Sequence, residues 1–386
     1  MALYTIVPGL AYAVITALSL WPVDGGTTNL RGHTVGGDFM AFYTAAFQVV
    51  HGLVDSVYDP DRFRVIKAVV TGDSVHELPF FYPPWSLFIW APLGFSGFTC
   101  ALLTWTGLQL VVLGWLAYRI TGLGLAPLLV LVCPPVLRAA ITGQTGMLMA
   151  IFLAGGFLLL RHRSRGAGAV LGLMVVKPHL AITLPFILAG GRQWWAFVLT
   201  GLTAVGIAGL GLLVFGWGAM EGFLALAADH GDKTLLSSND RWDRLVSPLA
   251  AMLRLTSSTT AAWAVHIIVA VGALGVAAWV WWRTEDPAAR AMAGVVAIPL
   301  VNPYMFAYDL AVFLVPIAFL GKDLIAGKLD SWDSAALVAM WLVPFVSFVA
   351  GVIGFQPAPL VFLALLAVAW RRAIRRAPVS PAATPR

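Results

Sequence analysis

Three charged residues stand in apolar surroundings and could do chemistry there. Asp38 precedes the stretch FMAFYTAAFQVV, Lys177 lies in VVKPHL, and Asp309 lies in YMFAYDLAVFLVP. A carboxylate such as Asp38 could accept a proton as a general base, or it could cap the helix that follows. An ammonium inside a membrane costs about 2.5–3.5 kcal/mol on insertion scales, so Lys177 should pair, line a polar cavity or snorkel to an interface. Asp309 needs a partner such as an arginine, a lysine or hydroxyl groups.

The composition indicates which elements position these residues. The chain is 60% hydrophobic and 11% charged, whereas a soluble domain carries about 25% charged residues. Residues 261–282 hold no formal charge, and as a helix they would extend about 33 Å, enough to cross a bilayer core of about 30 Å. Because backbone in lipid must satisfy its own hydrogen bonds and the apolar runs are continuous, the spans should be helices. We predict an all-α integral membrane protein, a single domain over 1–376 with about ten to thirteen transmembrane helices.

Two polar segments, 22–79 and 218–257, interrupt the apolar runs, and both are predicted to face outward. In the first segment, Asp38 leads into apolar residues at helical spacing. Asp59 and Pro60 then begin a second short helix, with Asp59 as the N-cap. This pattern is typical of two helices that lie in the membrane interface. The Pro/Ala-rich tail 377–386 is predicted to be disordered.

The chain has a net charge of +6, and arginines collect in two short connectors, 161–165 and 371–376. Such clusters are typical of cytoplasmic loops beside anionic lipids, so we expect membrane lipids and no nucleic acid as partners. Simple alternation of the spans would nevertheless place 161–165 outside. The two basic segments share a side if 80–95 dips into the membrane and returns, and if 166–190 is two short pieces that meet at Lys177.

Five segments carry a resemblance to a known family. They are GGDFMAFYTAA (36–46), FFYPPWSLFIWAPLG (80–94), the GQ of ITGQTGMLM (141–149), the KP of VVKPHL (175–180) and NPYMFAYDLAVFLVP (302–316). In this order they resemble glycosyltransferase family 87, membrane enzymes of the GT-C fold that use polyprenyl-phosphate sugars. The family includes mycobacterial α-mannosyltransferases that build phosphatidylinositol mannosides, and an arabinofuranosyltransferase. The resemblance covers roughly 1–320.

The resemblance implies an inverting glycosyltransferase that moves a sugar, mannose as the first expectation, from a polyprenyl-phosphate donor to an outward-facing lipid or glycan acceptor. It implies that Asp38 is the general base. We expect a monomer in a bacterial-type inner (plasma) membrane, with the active site on the periplasmic side. A donor with one phosphate needs little charge neutralisation, and no His or carboxylate pair has metal-ligand spacing, so no metal or other cofactor is expected.

Further residues are candidates for the donor and acceptor sites. For the donor phosphate and sugar they are Lys177, His179, Arg138, Gln144 and Tyr82, and for the substrate cavity Tyr308, Asp309, Asn302 and Arg241. Each has a structural alternative: helix capping for Gln144, a headgroup anchor for Arg138, interfacial packing for Tyr82, and a solvated loop for Arg241. Relatives often carry His where this chain has Tyr308 and Asp309, which leaves the contacts of that segment open.

Two other functions compete with the leading one. A secondary transporter or lipid flippase would also be polytopic, and discontinuous helices are common in transporters. The candidate break at Lys177 has no visible counterpart in the second half of the chain, which favours the enzyme. Within the enzyme class, an arabinofuranosyltransferase that uses polyprenyl-phosphate arabinose is the alternative to a mannosyltransferase.

Overall fold

A computed structural model describes residues 2–20, 29, 35–72, 78–236 and 244–376. Within these ranges the chain is helical, and its strand-like pairing includes an antiparallel bridge between Leu245 and Phe306. This confirms the all-α prediction. Arg241 and the predicted tail 377–386 lie outside the described residues.

In the part of the chain that the structure describes, three helices are long and apolar enough to cross a membrane: α5 (Phe98–Thr121), α12 (Trp194–Leu236) and α14 (Thr259–Arg283). Their outer faces expose large apolar side chains, such as Leu213, which is 85% exposed. In water this exposure would be unfavourable, since burial of such a side chain stabilises by about 1.5–3 kcal/mol. Lipid removes that penalty, so the chain is a membrane protein. The predicted total of spans stays a prediction.

The remaining helices are shorter. They are α1 (Ala2–Leu20), α2 (Phe39–Val50), α3 (Pro60–Thr71), α4 (Leu87–Trp90), α6 (Ala126–Val130), α7 (Pro134–Thr142), α8 (Gly146–Arg161), α9 (Ala167–Gly172), α10 (Pro178–Ala181), α11 (Leu184–Gly190), α13 (Pro248–Thr256), α15 (Pro287–Val301), α16 (Leu314–Ile325), α17 (Ser331–Leu342), α18 (Pro344–Ile353) and α19 (Ala358–Arg375). Short 3₁₀ segments at 54–56, 84–86, 91–95, 173–176 and 307–313 connect them. α12 is broken at Gly216 and continues as helix through 218–236, which the sequence places in a polar loop.

The two basic segments lie at the same end of the molecule. α8 is about 24 Å long at 1.5 Å per residue. It begins at Gly146, against the backbone of Tyr308, and ends at Arg161, which lines a cavity together with Arg283. The hydroxyl of the next residue, Thr284, donates to the carbonyl of Arg376 (3.2 Å). We call the end with 161–165 and 371–376 the basic end, and the end with residues 308–309 the site end.

Residues 166–190 form a re-entrant hairpin, as the charge pattern predicts. Its first arm is α9 followed by 173–176, its second is α10 and α11, and Lys177 separates them. Pro178 lacks the N–H that would continue a helix across this point. Arg165 and Gly190, at the two feet, line one cavity at the basic end. The tip therefore carries Lys177 from the basic end into the protein, and the chain returns to the end where it began.

The prediction of two interfacial helices needs one correction. Both faces of α2 are covered by protein, and Phe39, Phe42 and Thr44 are all buried. The reason is that the turn-rich segment 80–95 folds over it, and the Phe42 ring stacks on Trp90 (4.1 Å between centroids). α3 fits an interfacial position better, since its Val69 is 82% exposed. The predicted capping of α3 by Asp59 is confirmed, because its carboxylate accepts from the backbone of Asp61 and Arg62 (both 3.1 Å).

Candidate active site

Glycines bring Asp38 against the start of α8. Gly36, Gly37 and Gly143 all adopt positive φ, of 74°, 47° and 61°, a region that side chains disfavour. A Cβ on Gly143 would also lie 2.5 Å from the Cβ of Phe39. Only glycine permits this approach, and as a result the Gln144 amide reaches the Asp38 carboxylate, donating from Nε2 to Oδ2 at 2.7 Å.

The Asp38 side chain does not cap α2. Its backbone is already helical (φ −68°, ψ −14°), and its carboxylate accepts no hydrogen bond from the first turn. The capping alternative is therefore wrong, because an N-cap residue needs an extended backbone to turn its side chain back to the helix. The half-buried carboxylate lies against Gln144 instead.

A chain of hydrogen bonds fixes Gln144. The Tyr82 hydroxyl donates to Gln144 Oε1 (3.1 Å) and lies 2.7 Å from the hydroxyl of Thr145. If Thr145 donates to the Tyr82 hydroxyl, the hydrogen bonds run in one direction from Thr145 through Tyr82 to Gln144, and the Gln144 side-chain N–H donates to Asp38. All three side chains are buried, and the Tyr82 ring packs edge-on against Phe42 (5.1 Å between centroids). Such a network holds the carboxylate in one orientation.

Lys177 and Asp309 form a buried ion pair beside this network. Lys177 Nζ donates to Asp309 Oδ1 at 2.5 Å, and the two side chains are 6% and 1% exposed. The ammonium lies 5.7 Å from the ring centroid of Tyr82 and 5.2 Å from that of Tyr308. Asp309 thus takes a lysine, one of the partners predicted for it. Its second oxygen, Oδ2, is buried and accepts no hydrogen bond from the residues the structure describes.

The two carboxylates belong to one cluster. Tyr82 touches the Asp38 network through its hydroxyl and the ion pair through its ring. Asp38 also acts electrostatically on Asp309. We call Asp38, Tyr82, Gln144, Lys177 and Asp309 the carboxylate–lysine cluster. It combines the positioned, half-buried carboxylate of Asp38 with the ammonium of Lys177, which are groups suited to proton transfer beside an anionic group.

Two further donor-site candidates lie near the cluster. His179 is exposed and within electrostatic range of Lys177, so it could contact a ligand that reaches the lysine. Arg138 is half-buried and lies within electrostatic range of Tyr12 of α1. It is one helical turn from Thr142, whose backbone packs against Gly37.

Asn302 and Tyr308 contribute to the segment that holds Asp309. Asn302 is buried, and its side-chain oxygen accepts from the backbone of Tyr304 (3.0 Å), so it stabilises the turn after α15. The half-buried Tyr308 ring stacks on Phe306, with 5.1 Å between centroids and 9° between planes.

Some contributors carry no signal that would identify them in the sequence. The Trp105 indole donates to the carbonyl of Gly143 (2.9 Å) and fixes the turn before Gln144. At the other side of the cluster, residues 245–247 pair with 303–306: Val246 N donates to Met305 O (2.8 Å) and Ser247 Oγ to Pro303 O (2.6 Å). Only Thr145, adjacent to Gln144, could have been found by its place in the GQT motif.

The model of glycosyltransferase family 87 matches residues 80–303, more than half of the chain. The chain belongs to glycosyltransferase family 87. Tyr82, Gln144 and Lys177 lie inside the matched range, whereas Asp38 and Asp309 lie outside it. No curated protein and no solved structure matches the chain. Family membership supports a glycosyltransferase rather than a transporter or a flippase.

Proposed function

We propose that this family 87 enzyme transfers a sugar, expected to be mannose, from a polyprenyl-phosphate donor to a lipid or glycan acceptor with inversion at the anomeric carbon. The observation that carries the proposal is the hydrogen bond from Gln144 to Asp38, next to the ion pair of Lys177 and Asp309. It supplies an oriented base and a phosphate-binding cation in one cluster.

In the proposed step, the acceptor hydroxyl gives its proton to Asp38 while its oxygen attacks the anomeric carbon. The bond between that carbon and the phosphate oxygen breaks, and polyprenyl phosphate leaves with the electron pair. Because attack and departure occur on opposite faces, a β-linked donor gives an α-linked product. A positioned base of this kind contributes about 10²–10⁴-fold to the rate.

Lys177 is proposed to bind the donor phosphate. An ammonium has three N–H donors, and one is used by Asp309. Those that remain can meet phosphate oxygens, on which negative charge grows as the bond breaks. Asp309 would hold the lysine in place, and its second oxygen is available for a sugar hydroxyl. His179, exposed beside Lys177, is a second candidate donor to the same phosphate.

The proposed orientation places the carboxylate–lysine cluster on the periplasmic side of the inner membrane. The basic segments 161–165 and 371–376 share the opposite end of the molecule. Arginine-rich connectors are retained on the cytoplasmic side. The site end then faces outward, where a lipid-linked sugar and a glycolipid acceptor would meet.

The test is transfer by purified protein in liposomes, with polyprenyl-phosphate mannose and polyprenyl-phosphate arabinose offered separately and a membrane lipid extract as acceptor. Asp38→Asn keeps the size of the side chain and removes the base, and we expect a loss of at least about 100-fold. Asp59→Asn is the matched control, since Asp59 lies in the same loop, begins a helix and stands outside the cluster.

We expect transfer from the mannose donor, and the Asp59→Asn variant should keep wild-type activity. An Asp38→Asn protein that folds and transfers sugar within twofold of the wild type would refute the proposed role of Asp38. Faster transfer of arabinose than of mannose would assign the enzyme to the arabinofuranosyl alternative.

A further inference from the structure

A cavity of about 940 Å³ lies at the basic end, away from the carboxylate–lysine cluster. It is built from three connections: the turn after α8, the turn between α11 and α12, and the link from α14 to α15. Both feet of the re-entrant hairpin therefore border it. Its volume is in the range of small-molecule sites, about 300–1,000 Å³.

The lining of this cavity is strongly basic. Its arginines are Arg161, Arg163, Arg165, Arg192, Arg283 and Arg290, and Glu285 is the acidic residue among the lining side chains. Arg290 is engaged, since it donates to the carbonyls of Thr284 and Trp281. The side chains of the other five are exposed and form no ion pair or hydrogen bond with the described part of the chain. An anion is the natural occupant.

Two of these arginines hold a backbone conformation that favours glycine. Arg163 and Arg192 both have φ of 54°. Each ends a helix with the same pair of bonds: Arg163 N to Leu160 O with Ser164 N to Leu159 O, and the equivalent pair at 192–193. This is the Schellman motif, whose left-handed position is usually glycine.

The same motif elsewhere in the chain has glycine. Gly52, Gly143 and Gly327 occupy the left-handed position with the equivalent bonds. Crowding of Cβ against the following carbonyl makes arginine less favourable there than glycine. Arginine at positions 163 and 192 therefore costs conformational free energy that glycine would avoid in the same turns. Both arginine side chains line the same cavity.

The position of the cavity relative to the membrane favours a lipid as its ligand. Exposed tryptophans Trp194, Trp195 and Trp282 also line it, at the ends of the apolar helices α12 and α14. Tryptophans at such ends lie at headgroup level. The cavity therefore opens at the level of the lipid phosphates, and apolar protein surface lies next to the opening. Basic pockets between helices bind such headgroups.

We propose that this cavity binds the phosphate headgroup of an anionic membrane phospholipid, with Arg163 and Arg192 as ligands and the tryptophans against its acyl chains. This site is independent of the role proposed for Asp38.

Native mass spectrometry of the full chain in detergent tests the proposal, with phosphatidylglycerol and phosphatidylcholine titrated as probes. We expect retention of phosphatidylglycerol in preference to phosphatidylcholine. Arg163→Gly with Arg192→Gly should weaken phosphatidylglycerol binding about 30-fold, from about 1 kcal/mol for each arginine. The melting temperature in lipid-free detergent should not fall, since glycine suits both turns. Arg62→Ala with Arg64→Ala removes the same charge from the exposed α3 and should bind like the wild type.

Three results would overturn the proposal. The first is unchanged phosphatidylglycerol binding by the double glycine variant. The second is a lower melting temperature of that variant, because the argument requires glycine to fit these turns at least as well as arginine. The third is displacement of the lipid by millimolar inorganic phosphate, which would assign the cavity to a soluble anion.

Discussion

Two buried charge clusters lie at opposite ends of the molecule and differ in how many carboxylates pair with the buried cation. At the site end, Lys177 pairs with Asp309 alone among the carboxylates. At the basic end, Arg372 of α19 is 2% exposed and pairs with three carboxylates. It donates to Asp286 (2.8 Å), to Asp333 (2.7 Å) and to Asp323. These aspartates come from the ends of α15, α16 and α17.

The difference separates a structural cluster from one suited to a ligand. All three guanidinium nitrogens of Arg372 are used, and Asp286 also caps α15 by accepting from Ala289 N (2.7 Å). Its partners tie four helices together. Each cluster has a buried carboxylate oxygen without a partner among the described residues, Asp309 Oδ2 in one and Asp333 Oδ1 in the other. The clusters therefore differ at the cation, because Lys177 pairs with one carboxylate and Arg372 with three. We propose that a substrate meets the N–H donors of Lys177 that Asp309 does not use, next to the positioned carboxylate of Asp38.

The largest effect on stability is expected for Arg372→Met. It leaves three carboxylates near one another without their cation, and loss of one member of a buried pair costs about 3–5 kcal/mol. We expect a large fall in the melting temperature in detergent. Arg371→Met is the matched control, because the pair of Arg371 and Asp330 is partly exposed and such pairs contribute at most about 1 kcal/mol. Equal losses for the two variants would show that the Arg372 cluster is not the structural one.

The next prediction separates structure from function within the pair of Lys177 and Asp309. Lys177→Met and Asp309→Leu should each destabilise by about 3–5 kcal/mol, and the double variant should recover most of that loss, since both charges are gone. Sugar transfer should remain absent in all three variants. Recovery of transfer together with stability in the double variant would show that the pair is structural, like the Arg372 cluster.

The smallest effect is expected for Tyr82→Phe. It removes a hydroxyl that orients Gln144, a loss of about 0.5–1.5 kcal/mol, and should lower kcat about two- to tenfold with little change in melting temperature. Tyr43→Phe is the control, because the Tyr43 hydroxyl donates to the carbonyl of Ser96 (2.7 Å) and stands outside the cluster. If the two variants show the same kcat, the chain from Tyr82 to Asp38 does not position the base.

Local signals in the sequence predicted much of the backbone. Continuous apolar runs predicted helices, Pro178 predicted the break at Lys177, and Asp59 before Pro60 predicted the cap of α3. Each of these predictions depends on residues a few positions apart in the sequence, so each can be made without knowledge of the tertiary structure. The expectation that the apolar face of α2 contacts lipid was wrong for the same reason: the apolar spacing that suits lipid also suits a protein core, and the segment that covers α2 lies some forty residues further along the chain.

The sequence by itself determined that the charged residues in apolar segments, such as Lys177 and Asp309, need partners. The reason is that an isolated charge in lipid is costly wherever it lies. Which partner each one takes was decided by the tertiary structure. Gln144 reaches Asp38 across 106 residues, and Lys177 reaches Asp309 across 132. Such contacts depend on the left-handed turns at Gly36 and Gly143 and on the re-entrant hairpin acting together, and no stretch of sequence contains that combination.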